Sequence, residues 1–345
     1  MPQEYRFSFG PWNIHEGADP FGPSVRESLP FHEKLKMYKE LGFDGVQFHD
    51  DDAVPDLNNL TAKQIAEKAK QLGTMLEDHG LVAELVAPRL WEDPRTIDGA
   101  YTSNDPDSRA YAGERSRITI DIANILDTRL IVLWLAREGT YIREAKEPAK
   151  AVDQLVEAIN DMLAYDPNIR IAIEPKPNEP MDLSYIPTVG HAVALSYMTD
   201  EPDRVGVNME SAHAILAGLD PADEMGFALA RNKLFTVHLN DQNGLKFDED
   251  KAFGSVNLRR AFNQVAVLER NNYGRNGEFI GLDVKAMRTQ KAEVATKHLR
   301  NSRAMFLRMV ELVRSLDDQA VQGYISQRDY EELEALILNH LLGKN

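Results

Sequence analysis

The sequence predicts an α/β chain folded as a (β/α)8 TIM barrel with a short C-terminal helical extension. Short β-rich runs alternate with longer helical patterns eight times along its 345 residues. Alternation of this kind builds a parallel sheet from βα units, and eight units close a barrel. Several of the β-rich runs also place polar side chains on one face and end that face with a charged residue or an imidazole. Barrel enzymes carry their chemistry at that rim.

Strands are expected over 5–9, 45–49, 81–87, 130–136, 170–175, 205–210, 234–240 and 279–284. Helices are expected over 31–41, 61–79, 105–126, 147–165, 188–198, 211–231, 256–272 and 289–315. The chain therefore divides into a barrel domain, 1–315, and a C-terminal helical arm, 316–345, expected to make oligomer contacts. A doubly wound sheet would require a glycine-rich phosphate turn after the first strand, and Phe9-Gly10-Pro11-Trp12 is not one.

Side chains alternate between the two faces of a strand. In the seventh strand Phe235, Val237 and Leu239 oppose Thr236, His238 and Asn240. In the fifth, Ile171 and Ile173 oppose Ala172 and Glu174, with Lys176 continuing the polar side. In the sixth, Val207 and Met209 oppose Asn208 and Glu210; in the eighth, Leu282 and Val284 oppose Asp283 and Lys285. In the second, Val46 and Phe48 oppose Gln47 and His49. One polar strand end could simply herald a loop. Five of them aimed inward need partners or a cation, because buried charge is costly.

Composition bounds the partners. Lys plus Arg number 39 and Asp plus Glu 55, so the net charge is 39 − 55 = −16. Such a surface repels phosphate backbones and anionic lipid, which argues against nucleic acid and membrane partners. There is no cysteine, so thiolate nucleophiles and Cys-ligated zinc are excluded. No apolar run approaches the ~20 residues of a membrane span, and a cytoplasmic location is expected.

Glu174, Glu210, His238 and Asp283 end four consecutive strands and should converge at the barrel mouth. Three carboxylates and an imidazole suit Mn²⁺, Co²⁺ or Mg²⁺; an ion-pair network with Lys176 and Lys285 is the alternative. Glu210, His213, Asp248 and Asp250 form a second group, the last two in a loop after the seventh strand. That loop could hold a second cation or be a solvated acidic segment. His49 with the aspartates 50–52 gives an acid/base unit or a helix-capping run. Trp134 and Trp91 would wall the mouth or pack in the core. Arg137 and Glu138 read as an ion pair. No nucleophile elbow, P-loop or H-E-x-x-H motif is present.

The runs Phe48-His49-Asp50-Asp51-Asp52, Glu174-Pro175-Lys176-Pro177-Asn178-Glu179-Pro180 and Asn208-Met209-Glu210-Ser211-Ala212-His213 together resemble the xylose isomerase family. So do the long segment from Leu239 to Asp250, Leu282-Asp283-Val284-Lys285, Trp134 with Arg137-Glu138-Gly139, Asp19-Pro20-Phe21-Gly22 and His340-Leu341-Leu342-Gly343. The likeness runs through nearly the whole chain in order. It implies an aldose–ketose isomerase using two divalent cations. Glu174, Glu210 and Asp283 would bind the first, with His238 where the family usually has aspartate. Glu210, His213, Asp248 and Asp250 would bind the second. Lys176 would serve the carbonyl end of an open-chain sugar, and His49, oriented by Asp52, would assist ring opening. Trp91, Trp134, Asn208 and Phe21 would contact the sugar, Phe21 from a neighbouring subunit of a homodimer or homotetramer.

The chain departs from that pattern at His238, at Ala87 in place of threonine, at Trp91 in place of phenylalanine, and at His15-Glu16 where a tryptophan is usual. Its C-terminal arm is also shorter. Related sugar epimerases use a histidine at the seventh strand. A sugar epimerase or a C-glycoside-cleaving lyase on the same barrel is accordingly the second reading. A silent sugar-binding barrel would have lost its chemical residues, and an abasic-site endonuclease is disfavoured by the charge.

Overall fold

The structure, a computed structural model, describes residues 4–343. Eight strands close into a barrel: β1 (Arg6–Phe9), β2 (Gly45–His49), β3 (Val82–Ala87), β4 (Leu130–Trp134), β5 (Arg170–Glu174), β6 (Val205–Glu210), β7 (Leu234–Leu239) and β8 (Phe279–Leu282). Neighbours in space are neighbours in sequence, and the pairings are parallel, β8 closing on β1 through Arg6–Phe279 and Phe9–Leu282. Around them lie α1 (Phe31–Leu41), α2 (Ala62–Asp78), α3 (Pro106–Ile125), α4 (Pro148–Tyr165), α5 (Val189–Ser196), α6 (Pro221–Leu229), α7 (Leu258–Arg270) and α8 (Lys297–Ser315). The fold expected from the sequence is the fold found.

Local chemistry starts these helices. Thr61 accepts from the Gln64 amide ahead of α2, and Asp105, Glu147 and Asp220 do the same ahead of α3, α4 and α6, each followed by proline at the first helical position. The single helix expected over 211–231 is two. Ser211–Leu216 ends at Gly218, φ 76°, and Asp220-Pro221 starts α6 afresh. The helix expected from 289 begins only at Lys297. The preceding chain makes a turn at 287–290 and a 3-10 helix, Ala292–Val294, and the Arg26 guanidinium donates to the carbonyls of Ala286, Met287 and Gln290 at 2.9, 3.1 and 2.7 Å.

Outward-facing strand residues such as Phe9, Val46, Phe48, Ile173, Val207 and Val237 join the main core beneath the helices. A second, smaller core fills the barrel axis: Leu85, Ala87, Val132, Ala172 and Phe235. Phe235 corrects the expected alternation. The register slips between β6 and β7, so that Val207 pairs with Leu234 but Asn208 with Thr236. Phe235 is the extra residue of that bulge and packs inward. Glu84 is buried beside the axis, where Gln47 Nε2 (3.2 Å), Thr236 Oγ1 (2.7 Å) and the Ser8 hydroxyl donate to its carboxylate.

After α8 the chain forms α9 (Asp318–Gln327) and α10 (Tyr330–Leu341). Leu333, Leu336, Ile337 and Leu341 pack half-buried against the core, and His340 Nε2 lies 2.8 Å from the Leu312 carbonyl. A short antiparallel ribbon, Gly139–Thr140 with Leu183–Ser184, links the loops after β4 and β5. Its glycine is required, because a Cβ at Gly139 would sit 2.2 Å from the Leu183 carbonyl oxygen. Among the described residues no helix is long and apolar enough to cross a membrane.

Candidate active site

A cavity of about 680 Å³ opens at the C-terminal mouth of the barrel. Every residue expected to ligate metal lies on its wall: Glu174, Glu210, His213, His238, Asp248, Asp250 and Asp283. The strands deliver them. Glu174 ends β5, Glu210 ends β6, His238 is the penultimate residue of β7, and Asp283 follows β8. Glu210 and His238 also pair across the β6–β7 ladder.

Glu210 is the hub. Its carboxylate joins three groups whose donor atoms all lie within 4.8 Å of one another: with Glu174 and His213, with His238 and Asp283, and with Asp248 and Asp250. His213 Nε2 is 3.2 Å from both Glu210 Oε1 and Asp248 Oδ2, and His238 Nδ1 is 3.4 Å from Glu174 Oε2. Asn240 holds the hub in place, donating through Nδ2 to Glu210 (2.9 Å), Asp250 (3.0 Å) and the Asp283 carbonyl (2.9 Å).

Among the described residues, four atoms of this cluster are buried without a hydrogen-bond partner: Glu210 Oε2, His213 Nδ1, His238 Nε2 and Asp248 Oδ1. Buried polar atoms are normally satisfied. Orphaned polar atoms on imidazole and carboxylate side chains fit a divalent cation. The electrostatics agree. Burial pushes the Glu210 carboxyl well above its ordinary range, and Asp250, Glu174, Asp283 and Asp248 push it further. Asp250 is raised in the same way, by burial and then by Asp248. Burial acts upward on Asp248 too, but Lys176, His213 and Lys285 overcome it and hold that group well below the usual carboxylate range. A bound cation would relieve the repulsion between like charges packed this closely, beside the ion pairs that Lys176 makes with Asp248 and Lys285 with Asp250.

The remaining wall is basic and aromatic. Lys176 Nζ donates to Asp248 Oδ2 at 2.9 Å and lies 3.4 Å from Glu179. Lys285 pairs with Asp250. Trp91 and Trp134 meet edge to face with centroids 4.5 Å apart, and Trp134 Nε1 is buried without a hydrogen-bond partner among the described residues. His49 Nδ1 lies 2.7 Å from Asp52 Oδ2, and its ring centroid is 4.1 Å from that of Trp12.

Two residues expected to touch a ligand do not line this chain's own cavity, Phe21 being expected at a neighbouring subunit's site. Asn208 is fully buried behind the cluster, its Nδ2 2.7 Å from Glu174 Oε2 and 3.1 Å from His238 Nδ1, so it orients those side chains. Phe21 is 82% exposed and rests edge-on against Phe247. The ion pair expected between Arg137 and Glu138 is not formed. Arg137 Nε donates to the Trp91 carbonyl at 3.0 Å, while Glu138 is buried and accepts from the amides of Ala100, Tyr101 and Thr102.

Sequence reasoning missed several participants. Trp12 Nε1 and Asn13 Nδ2 donate to Asp283 Oδ1 at 2.9 and 2.6 Å. Their signal was an N–H aromatic and an amide directly after the first strand. Arg89 reaches His49, Asp51 and Asp52 from the loop after β3. Asp50 is buried against Arg115 of α3, with Nη2–Oδ1 2.7 Å, and therefore serves the fold.

A closed parallel barrel that gathers carboxylates and imidazoles at the ends of four successive strands defines a barrel with the donor set of a divalent-metal centre. The chain belongs to the xylose isomerase-like TIM barrel family, which matches residues 35–278. It is 38% identical over 295 residues to a xylose isomerase of Thermus thermophilus, covering 84% of this chain and 75% of the relative. It is 36% identical over 343 residues to a xylose isomerase of Thermus caldophilus, covering 97% and 87%. Solved structures of the same fold include a D-tagatose 3-epimerase-like protein (TM-score 0.64, 16% identity, 90% of this chain and 98% of that one). They also include a D-psicose 3-epimerase (TM-score 0.64, 15% identity, 88% and 99%).

Proposed function

We propose that this chain is a metal-dependent aldose–ketose isomerase that interconverts an aldose and its ketose after ring opening, by a 1,2-hydride shift. The observation that carries the reading is Glu210. One carboxylate belongs both to a group with His238 and Asp283 and to a group with Asp248 and Asp250, so two cations can share it. Two relatives named xylose isomerase, aligned over most of the chain, support the same reaction class.

Glu174, Glu210, His238 and Asp283 would hold one Mg²⁺, Mn²⁺ or Co²⁺, and Glu210, His213, Asp248 and Asp250 the other. Bound there, the cations would polarise adjacent sugar oxygens and make a coordinated water more acidic. The chain's own groups do the rest. Lys176, kept charged by Asp248, offers N–H donors to an oxygen that gains negative charge. His49 and Asp52 provide the acid/base unit for ring opening. Trp91 and Trp134 exclude water from the reacting carbons. The exposed Phe21 and the arm 316–345 belong to subunit contacts in a homodimer or homotetramer.

His238 favours a second reading, a sugar epimerase that moves a proton at a single cation. The epimerases named above share its fold. Turnover of an aldose and ketose panel, xylose and glucose included, in heavy water separates the two. Isomerisation without uptake of solvent deuterium at carbon supports the hydride shift. Uptake of one deuterium per turnover, or epimerisation alone, overturns it.

A further inference from the structure

Gln47 Oε1 and His238 Nε2 are both buried without a hydrogen-bond partner among the described residues. The orientation of Gln47 is fixed. Its Nε2 lies 3.2 Å from Glu84 Oε2 and 3.2 Å from Ser8 Oγ. A carboxylate only accepts, so the amide NH2 faces Glu84 and the carbonyl oxygen is turned away from it.

The orientation of His238 follows in the same way. Asn208 Nδ2 carries two hydrogens and has two acceptors within reach, Glu174 Oε2 at 2.7 Å and His238 Nδ1 at 3.1 Å. Nδ1 also faces Glu174 Oε2 at 3.4 Å and Glu210 Oε2 at 3.6 Å, so it is the ring nitrogen turned towards the carboxylate cluster. An amide donor and a cation both require a lone pair at Nδ1, and the neutral ring then carries its proton on Nε2.

Gln47 stands at the Nε2 edge of that ring. A Cβ at Gly281, which pairs with His238 across β7 and β8, would sit 2.5 Å from Gln47 Nε2 and 3.3 Å from His238 Cδ2, the ring carbon bonded to Nε2. With glycine there, position 281 puts no side chain between the amide and the imidazole. Asn208 Oδ1 is also buried and unpartnered among the described residues, but its amide lies at the Nδ1 edge.

We propose that Gln47 is a positioning residue for His238: a single buried water accepts from His238 Nε2–H and donates to Gln47 Oε1. Buried waters close gaps of this kind between a donor and an acceptor. The relay from His238 through water and Gln47 ends on the buried Glu84 carboxylate. It holds the ring with Nδ1 towards the cation and makes that nitrogen a better ligand. A histidine standing where aspartate is usual thereby regains part of the missing negative charge. His238 plays this part only if the cluster holds a cation; the identity of the sugar does not enter.

The test is nitrogen-15 NMR of histidine-labelled, metal-free protein titrated with Cd²⁺ near pH 8, the signals being assigned by their loss in His238→Asn and His213→Asn. In the loaded wild type His238 should show the Cd²⁺ shift at Nδ1 and a pyrrole-type Nε2. In Gln47→Leu the Cd²⁺ midpoint at His238 should rise roughly 10–100-fold, and that at His213 should move less. Thr236→Val, which removes a different donor to Glu84, should leave the His238 midpoint unchanged. A Cd²⁺ shift at Nε2 in the wild type overturns the proposal, and this reports even if Gln47→Leu does not fold. A wild-type His238 midpoint in Gln47→Leu, or an equal rise in Thr236→Val, also overturns it. A wild type that takes up no Cd²⁺ removes the cation reading and the proposal with it. Protein that passes these tests but isomerises no sugar overturns the isomerase reading alone.

Discussion

Lys176 Nζ lies 2.9 Å from Asp248 Oδ2, which places a buried ammonium against a carboxylate of the metal donor set. Burial alone would lower the Lys176 pKa, but Asp248 and Glu179 raise it above the ordinary lysine value. Lys176 is therefore a fixed positive charge that competes with a cation for Asp248. Lys176→Met should cost roughly 10²–10³-fold in turnover, the size of losing one donor to a developing charge. It should not weaken cation affinity. Steady-state kinetics beside calorimetric cation titration check both parts.

Crowded carboxylates should make the stability of the folded state depend on cations. Repulsion among Glu210, Asp250, Asp248 and Asp283 is relieved when a cation binds. Free Mn²⁺ at 100 times its dissociation constant should stabilise the fold by about 2.7 kcal/mol. The thermal midpoint should rise on adding metal and return with chelator. An unchanged midpoint would mean that the cluster satisfies itself by ion pairing.

The Asp50–Arg115 pair belongs to stability rather than chemistry. Both side chains are buried, and Asp50 also accepts from Thr119 Oγ1 at 3.0 Å. Asp50→Ala strands a buried guanidinium and should cost about 3–5 kcal/mol. Asp50→Ala combined with Arg115→Leu should cost less than the single change. Denaturant unfolding of the three proteins decides it.

His298 gives the fold an acid limit. Burial lowers its pKa from 6.5 to about 4, and its Nε2 lies 2.8 Å from the Asn13 carbonyl. The folded state thus holds the neutral ring, while the unfolded chain takes up a proton below pH 6.5. Stability from this group is complete above pH 6.5 and is lost as pH falls towards 4. The loss amounts to about 3 kcal/mol at most. His298→Gln should flatten that part of the stability profile relative to wild type, measured by unfolding between pH 7 and pH 4.

Much of this was legible in the sequence because strands impose a period of two. That period put Glu174, Glu210 and His238 on one polar face, and the strand order then brought them together. What escaped depends on geometry that no local pattern encodes. Phe235 points inward only because β7 slips one residue against β6. Arg89 and Arg115 reach the His49–Asp52 segment from 37 to 65 residues away, across folded space. Gly218 and Pro221 were readable helix breakers, but apolar periodicity ran across them. Asn208 shares the polar face of β6 with Glu210, and sequence gave no sign that it sits behind the cavity wall.

The most direct measurement is isomerisation by metal-free protein reconstituted with Mg²⁺, Mn²⁺ or Co²⁺, in wild type and Glu210→Gln. A shared ligand requires turnover that appears with the cation and saturates at two per chain. In Glu210→Gln it should vanish together with tight binding at both sites. Turnover in the absence of metal, or a Glu210→Gln variant that still binds two cations and isomerises sugar, would contradict the account.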